Sequence, residues 1–190
     1  MKKIILIFIF TSFLSCSNNN KIRMEIKECL ESKFKETNPS LSLYKSYSIL
    51  EKVLIENKLL IKNDIVSYNQ FIDSIILKEK KIDIDILVEI RKNYTDDEVA
   101  NLNLPTSLNS MFCFVENKNN ILISNNKEYK NYIDNIELLF KTSSDKDYYI
   151  GIKRIMNSTP EGQFNYIEYR APVINSIFNY LYLNLDFEKI

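Results

Sequence analysis

Apolar residues recur at three- and four-residue steps through most of this chain, the spacing that gathers them on one face of an α-helix. Ile22, Met24, Ile26, Cys29, Leu30 and Phe34 largely follow such a stripe, and Asn38-Pro39 ends it, so a helix is expected over about residues 20–37. A second stripe, Leu43, Tyr47, Leu50, Val53 and Leu54, follows Ser40 and fails near Asn57-Lys58. Tyr68, Phe71, Ile72, Ile75 and Ile76 form a third, with Asp64 or Ser67 placed to cap it. Tyr129, Tyr132, Ile133, Ile136, Leu139 and Phe140 give the cleanest stripe, and Tyr148, Ile152, Ile155 and Met156 give another. Pro172 is expected to open a last helix carrying Val173, Ile174, Ile177, Phe178 and Leu181, because a first helical position has no use for the N–H that proline lacks.

Two segments read differently. Ile82-Asp83-Ile84-Asp85-Ile86 alternates like a strand, yet Ile86-Leu87-Val88-Glu89-Ile90 continues at helical spacing, and both readings stand. Met111 to Val115 and Ile121 to Ser124 are apolar runs on either side of a five-residue polar stretch, the pattern of a β-hairpin. Two strands alone are marginal in water, so the hairpin is expected to pack on helices. The fold class is therefore mainly α: a single multi-helix domain, residues 22–190, with a small β-hairpin. With 45% hydrophobic residues in 190 and no Pro/Gly/Ser-rich linker, one sizeable core is expected.

The N-terminus carries a different pattern. Lys2 and Lys3, an apolar run from Ile4 to Phe10, and Phe13-Leu14-Ser15 lead directly into Cys16. A charged start, a short apolar run and a small residue before the cut describe a secretory signal, and about eleven residues are too few to span roughly 30 Å of hydrocarbon. Residues 1–15 are therefore expected to be removed. A small residue immediately before cysteine resembles the lipobox of bacterial lipoproteins, although Phe13 stands where the lipobox has Leu and Leu14 comes one position later. The resemblance implies that the Cys16 thiol carries a diacylglycerol and becomes an acylated N-terminus, with residues 16–21 as lipidated end and short tether. The membrane is then a partner through this anchor, and the location is the bacterial cell envelope. Ser17 and Asn18-Asn19-Asn20 contain no acid of the kind seen in acidic surface-export signals, which favours an outer-membrane, periplasm-facing placement over the surface.

Charge and composition narrow the chemistry. Twenty-five basic residues balance 25 acidic ones, and loss of Lys2 and Lys3 leaves 23 against 25, a net −2. No nucleic-acid partner is expected from so neutral a chain, and Lys78-Glu79-Lys80-Lys81 reads as the solvated end of a helix rather than a phosphate site. There is no histidine, which removes Ser-His-Asp and Cys-His activation and the commonest metal ligand. Only Gly151 and Gly162 occur, too few for a phosphate-cradling loop. No cofactor and no metal is expected. Cys29 and Cys113 either form one bridge or pack as separate buried thiols, and their positions on apolar runs favour the thiols.

Candidate sites are few. Thr95-Asp96-Asp97-Glu98 is the densest carboxylate group, and also a capping box. Ser158-Thr159-Pro160-Glu161 reads as a helix start, and Asp83 with Asp85 as the outer face of an edge strand. Asn93-Tyr94-Thr95 and Asn157-Ser158-Thr159 match glycosylation acceptors that a bacterial export route does not use. The best surface-contact candidate is Tyr166, Glu168, Tyr169 and Arg170, since tyrosine and arginine combine contact area with polar reach. Function is expected to be non-enzymatic binding of an envelope protein or a ligand. The alternatives are a glycan hydrolase built on two carboxylates and a toxin-immunity lipoprotein. Metabolic labelling with a fatty-acid probe should mark the wild-type chain and not Cys16→Ser; equal labelling would refute lipidation of Cys16.

Overall fold

The computed structural model describes residues 2–37, 42–102, 104–119, 121–142 and 144–184. These residues form a helical bundle with no strand among them. The first helix, α1 (Lys2–Thr37), buries Ile22, Ile26, Leu30 and Phe34 at four-residue steps, while Met24 stays 43% exposed. It starts well before residue 20 and runs unbroken through the expected cut before Cys16 and the expected tether, Ser17 to Lys21. Five helical residues rise about 7.5 Å, against roughly 17 Å if extended, so the folded part stands closer to residue 16 than an extended tether would put it.

Helix α2 (Leu43–Glu56) follows the expected stripe and is capped by Ser42, whose Oγ accepts from Lys45 N. It ends where expected, at Asn57, and Lys58 takes a positive φ of 58° to turn the chain. Helix α3 (Ile65–Phe71) is capped by Asp64, not Ser67: the Asp64 carboxylate accepts from Ser67 N at 2.9 Å. The π-helical turn Ile72–Ile76 continues it, so that Ile72, Ile75 and Ile76 all face the core.

The ambiguous segment is helical. Asp83 caps α4 (Ile84–Lys92) through its carboxylate on Asp85 N, so the two aspartates are consecutive parts of a helix start and not neighbours on a strand. Helix α5 (Asp96–Leu102) is followed by α6 (Leu104–Glu116) and α7 (Ile121–Ser124), which occupy the segment expected to form a hairpin. That hairpin does not exist. Met111, Cys113, Phe114 and Ile123 are buried at spacings a helix can also satisfy, and the polar stretch between the runs winds as a 3₁₀ turn, Asn117–Asn119.

Helices α8 (Lys127–Leu139) and α9 (Asp145–Asn157) match their stripes, except that Phe140 is 38% exposed and stacks on Phe112. A Cβ at Gly151 would overlap Leu139 Cδ1, so glycine lets these two helices approach. Ser158 and Thr159 close α9, their hydroxyls donating to the Ile155 carbonyl, instead of opening the next helix. Gly162 then takes φ 73°, a conformation that favours glycine, ahead of the turn Gln163–Asn165.

The last helix, α10 (Ile167–Asn184), begins before the expected proline start, and Pro172 lies inside it. Every residue from Glu168 to Asn179 is buried. A helix buried all round belongs at the centre of a bundle, and α10 packs on α1, α2, α5, α6 and α9. The burial of its surroundings overrides the local cost of an interior proline. Finally, Cys29 and Cys113 are bonded, Cα atoms 5.7 Å apart, fastening α1 to α6; this overturns the expectation of separate thiols.

Tyrosines fill much of this core: Tyr47, Tyr68, Tyr129, Tyr132 and Tyr169 are all at most 1% exposed. Burial pushes the Tyr129 phenol up to about 12, and raises Tyr47 and Tyr132 further for the same reason. A phenol is charged only when deprotonated, so the unfolded chain, with pKa about 10, loses these protons first. Their stabilisation is complete below about pH 10 and falls as pH rises through about 12. An alkaline titration should show tyrosinate absorbance and loss of helical circular dichroism appearing together in that window. Full ionisation of the tyrosines with the helix signal intact would contradict this core.

Candidate functional site

The four residues expected to form a surface patch do not share a surface. Tyr166 alone is exposed, at 37%, with the Arg23 guanidinium 3.9 Å from its ring centroid. Glu168 and Arg170 are buried, and Tyr169 is 0% exposed. Tyr169 OH shares a 2.9 Å hydrogen bond with Tyr129 OH, and its ring packs on Phe114. The reason is positional: these residues begin the central helix, and a rotation of about 100° per residue turns successive side chains into different buried neighbours.

Arg170 is held by a carboxylate 119 positions away. Its Nε donates to Glu51 Oε1 at 2.5 Å and its Nη2 to Glu51 Oε2 at 3.1 Å, while Nη1 donates to the carbonyls of Phe164 and Asn165. Tyr68 OH completes the group by donating to Glu51 Oε1 at 2.6 Å. Burial, followed by the Glu51 charge, raises the Tyr68 phenol well above its ordinary value, so it stays a neutral donor. A buried pair whose charged groups are engaged by one another, by two carbonyls and by a phenol is structural. Glu51 was legible as an oddity, a carboxylate four residues after Tyr47 on an otherwise apolar stripe.

Thr95 and Glu98 form the expected capping box: Glu98 N donates to Thr95 Oγ1 at 3.2 Å and Thr95 N to Glu98 Oε2 at 2.8 Å. Asp96 pairs with Arg91. These acids are engaged in closing a helix start. Cys16 lies on the α1 backbone, and its side chain is outside the described residues.

A concave site forms where none was expected. A cleft of about 950 Å³ opens between the π turn and α4 on one side and α9 and the end of α10 on the other. One wall is aliphatic: Ile76, Ile82, Ile84 and Leu87, with Leu183 at the edge. Ile84 and Leu183 remain 56% and 73% exposed. The opposite wall carries Tyr148, Tyr149 and Tyr180 beside the N-terminal turn of α9, from Ser144 to Lys146. Burial raises the Tyr149 and Tyr180 phenols, which keeps them neutral at physiological pH. Asn179, also on the lining, is 5% exposed, and its buried amide nitrogen has no hydrogen-bond partner among the described residues. Leaving such a donor unsatisfied costs about 1–3 kcal/mol. Lys80, Lys81 and Lys146 line the rim with Glu79 and Asp145, and none of the three lysines pairs with a carboxylate among the described residues.

Chemically the cleft offers apolar contact, neutral phenols and N–H donors, a set suited to holding a molecule. Its residues come from three separated stretches, so no local motif could announce it. The one fragment noticed in the sequence is Lys78-Glu79-Lys80-Lys81, read as a solvated helix end; its last two lysines stand on the cleft rim. No protein-family model, curated protein or solved structure matches the chain.

Proposed function

We propose that this chain is an exported, lipid-anchored protein of the bacterial cell envelope whose helical domain binds a ligand, or a segment of an envelope partner, in the cleft between α4 and α9. The observation that carries the reading is the cleft itself: about 950 Å³ is near the top of the range for ligand sites, and exposed Ile84 and Leu183 at its mouth leave apolar surface uncovered. Its phenols and aliphatic side chains favour holding over reacting. Glu79 and Asp145, its two acids, are both exposed, and Asp145 stands in the first turn of α9. Hydrolysis by a carboxylate pair draws no support from them, because a raised-pKa acid needs a buried setting.

Export draws support from two independent features. The signal-like N-terminus ends on Cys16, and the bridge between Cys29 and Cys113 is of the kind that persists in oxidising compartments. Lipidation of Cys16 would place the domain at the membrane with the acyl chains as anchor.

The test is to isolate the intact protein from its own membranes and determine by native mass spectrometry what small molecule or peptide accompanies it. The comparison is with Ile84→Trp/Leu183→Trp, which fills the mouth at two exposed positions. Wild type should carry a bound species that the double variant loses by at least about tenfold, with the melting point unchanged, as when pocket contacts are blocked. Equal retention in both would remove the cleft as the binding site.

A further inference from the structure

The cleft is an apolar groove with a charged rim, and the chain runs on from its edge. Ile76, Ile82, Ile84 and Leu87 give it an aliphatic wall, and at the mouth Ile84 is 56% and Leu183 73% exposed. Apolar surface framed by polar residues marks a place where another segment packs. The rim sets exposed Lys80, Lys81 and Lys146 against exposed Glu79 and Asp145, three cations to two acids, an excess of one positive charge. None of the three lysines is held in an ion pair among the described residues.

Leu183 stands next to the end of α10 at Asn184. Residues 185–190 lie outside the described residues; their sequence, Leu185-Asp186-Phe187-Glu188-Lys189-Ile190, alternates apolar and acidic over its first four positions. Successive side chains of an extended backbone point to opposite sides, so this pattern suits a segment that sets Leu185 and Phe187 on one face and Asp186 and Glu188 on the other. Two acids and one lysine give the segment an excess of one negative charge, the complement of the rim. Its reach is sufficient: six extended residues span up to about 20 Å, and they begin directly after the helix whose Leu183 lines the cleft.

Resting on the reading of this cleft as a binding site, we propose that residues 185–190 of this same chain fold back across its mouth and compete with whatever else binds there. Leu185 and Phe187 cover the wall formed by Ile82, Ile84 and Leu87, while Asp186 and Glu188 lie toward Lys80, Lys81 and Lys146. A ligand then has to displace the segment, so the affinity of the cleft is set by how often the segment leaves it. With the docked form holding about nine-tenths of the molecules, the apparent affinity is about tenfold below that of the open cleft.

The chain contains no tryptophan, so Phe187→Trp supplies a single reporter. The experiment uses the full chain with that substitution, reconstituted in phosphatidylcholine vesicles, and reads the reporter's emission and its quenching by acrylamide. Emission should be blue-shifted and quenching weak. Adding Ile84→Asp should shift emission to the red and restore quenching with helical circular dichroism unchanged, since Ile84 is exposed at the first position of α4. Binding of 1-anilinonaphthalene-8-sulfonate, with protein-free vesicles as the blank, should tighten by about tenfold in the full chain carrying Leu185→Ser/Phe187→Ser. Ile84→Trp/Leu183→Trp should abolish that binding. A reporter quenched equally with and without Ile84→Asp would overturn the docking and leave the cleft a binding site. Quenching by brominated phosphatidylcholine would assign the segment to the bilayer, and protection lost on diluting the protein in lipid would assign it to the cleft of a second copy; either overturns the proposal. Unchanged dye affinity in Leu185→Ser/Phe187→Ser would overturn the competition. A protected reporter with no dye bound by any variant would uphold the docking and remove the ligand reading.

Discussion

The bundle depends on keeping α10 buried on all sides although its sequence is not apolar on all sides. Glu168, Arg170, Asn175, Ser176 and Asn179 all lie in the enclosed stretch. Each polar group taken from water there must find a partner or be paid for in stability, and a lone guanidinium would be prohibitive. Glu51 meets the need from α2, and the turn Gln163–Asn165 turns two carbonyls to the same guanidinium. Asn175 donates to Tyr47 OH at 2.6 Å and to Ser110 Oγ at 3.1 Å, and Ser176 Oγ donates to the Pro172 carbonyl and lies 2.9 Å from Tyr148 OH. These bonds reach α2, α6 and α9, so the polar residues of one helix set the register of three others. Hydrophobic burial supplies the driving force, while the polar contacts select which packing is realised.

The bridge between Cys29 and Cys113 adds a constraint of another kind. It closes a loop of 84 residues, which in chain-entropy terms stabilises the folded state by about 4–5 kcal/mol. It ties α1 to α6 near the Lys33–Glu116 ion pair, so the helix leading from Cys16 is fixed to the bundle covalently as well as by packing. A lipid on Cys16 would therefore hold a domain whose orientation follows that of α1.

Helices were legible wherever an apolar stripe coincided with a cap, as in α2, α8 and α9. The reading failed where periodicity was short. Met111 to Val115 and Ile121 to Ser124 are apolar runs of five and four residues, too brief to distinguish a strand from a buried helical turn. Pro172 misled because an interior proline is costly, and the pull of the surrounding core does not appear in a local pattern. Tyr166 to Arg170 looked like surface because its residues are polar and aromatic; Glu51, the partner that draws Arg170 inward, lies 119 positions away. The cysteines read as separate thiols for the same reason, since spacing says nothing of which cysteines meet. The cleft was invisible because it exists only once residues near 80, 145 and 180 are brought together. Asn179 carried the faintest trace of it, as a polar residue on the apolar stretch of the last helix.

The central claim, that the Glu51–Arg170 pair locks α2 to the core helix, is tested most directly by a double-mutant cycle. Chemical denaturation of wild type, Glu51→Met, Arg170→Met and the double variant measures the coupling. Each single change should cost about 3–5 kcal/mol, because it leaves one charge buried alone, and the double variant should be markedly more stable than the sum of the two predicts. Single losses under about 0.5 kcal/mol, or costs that simply add, would show that the pair does not hold the bundle together.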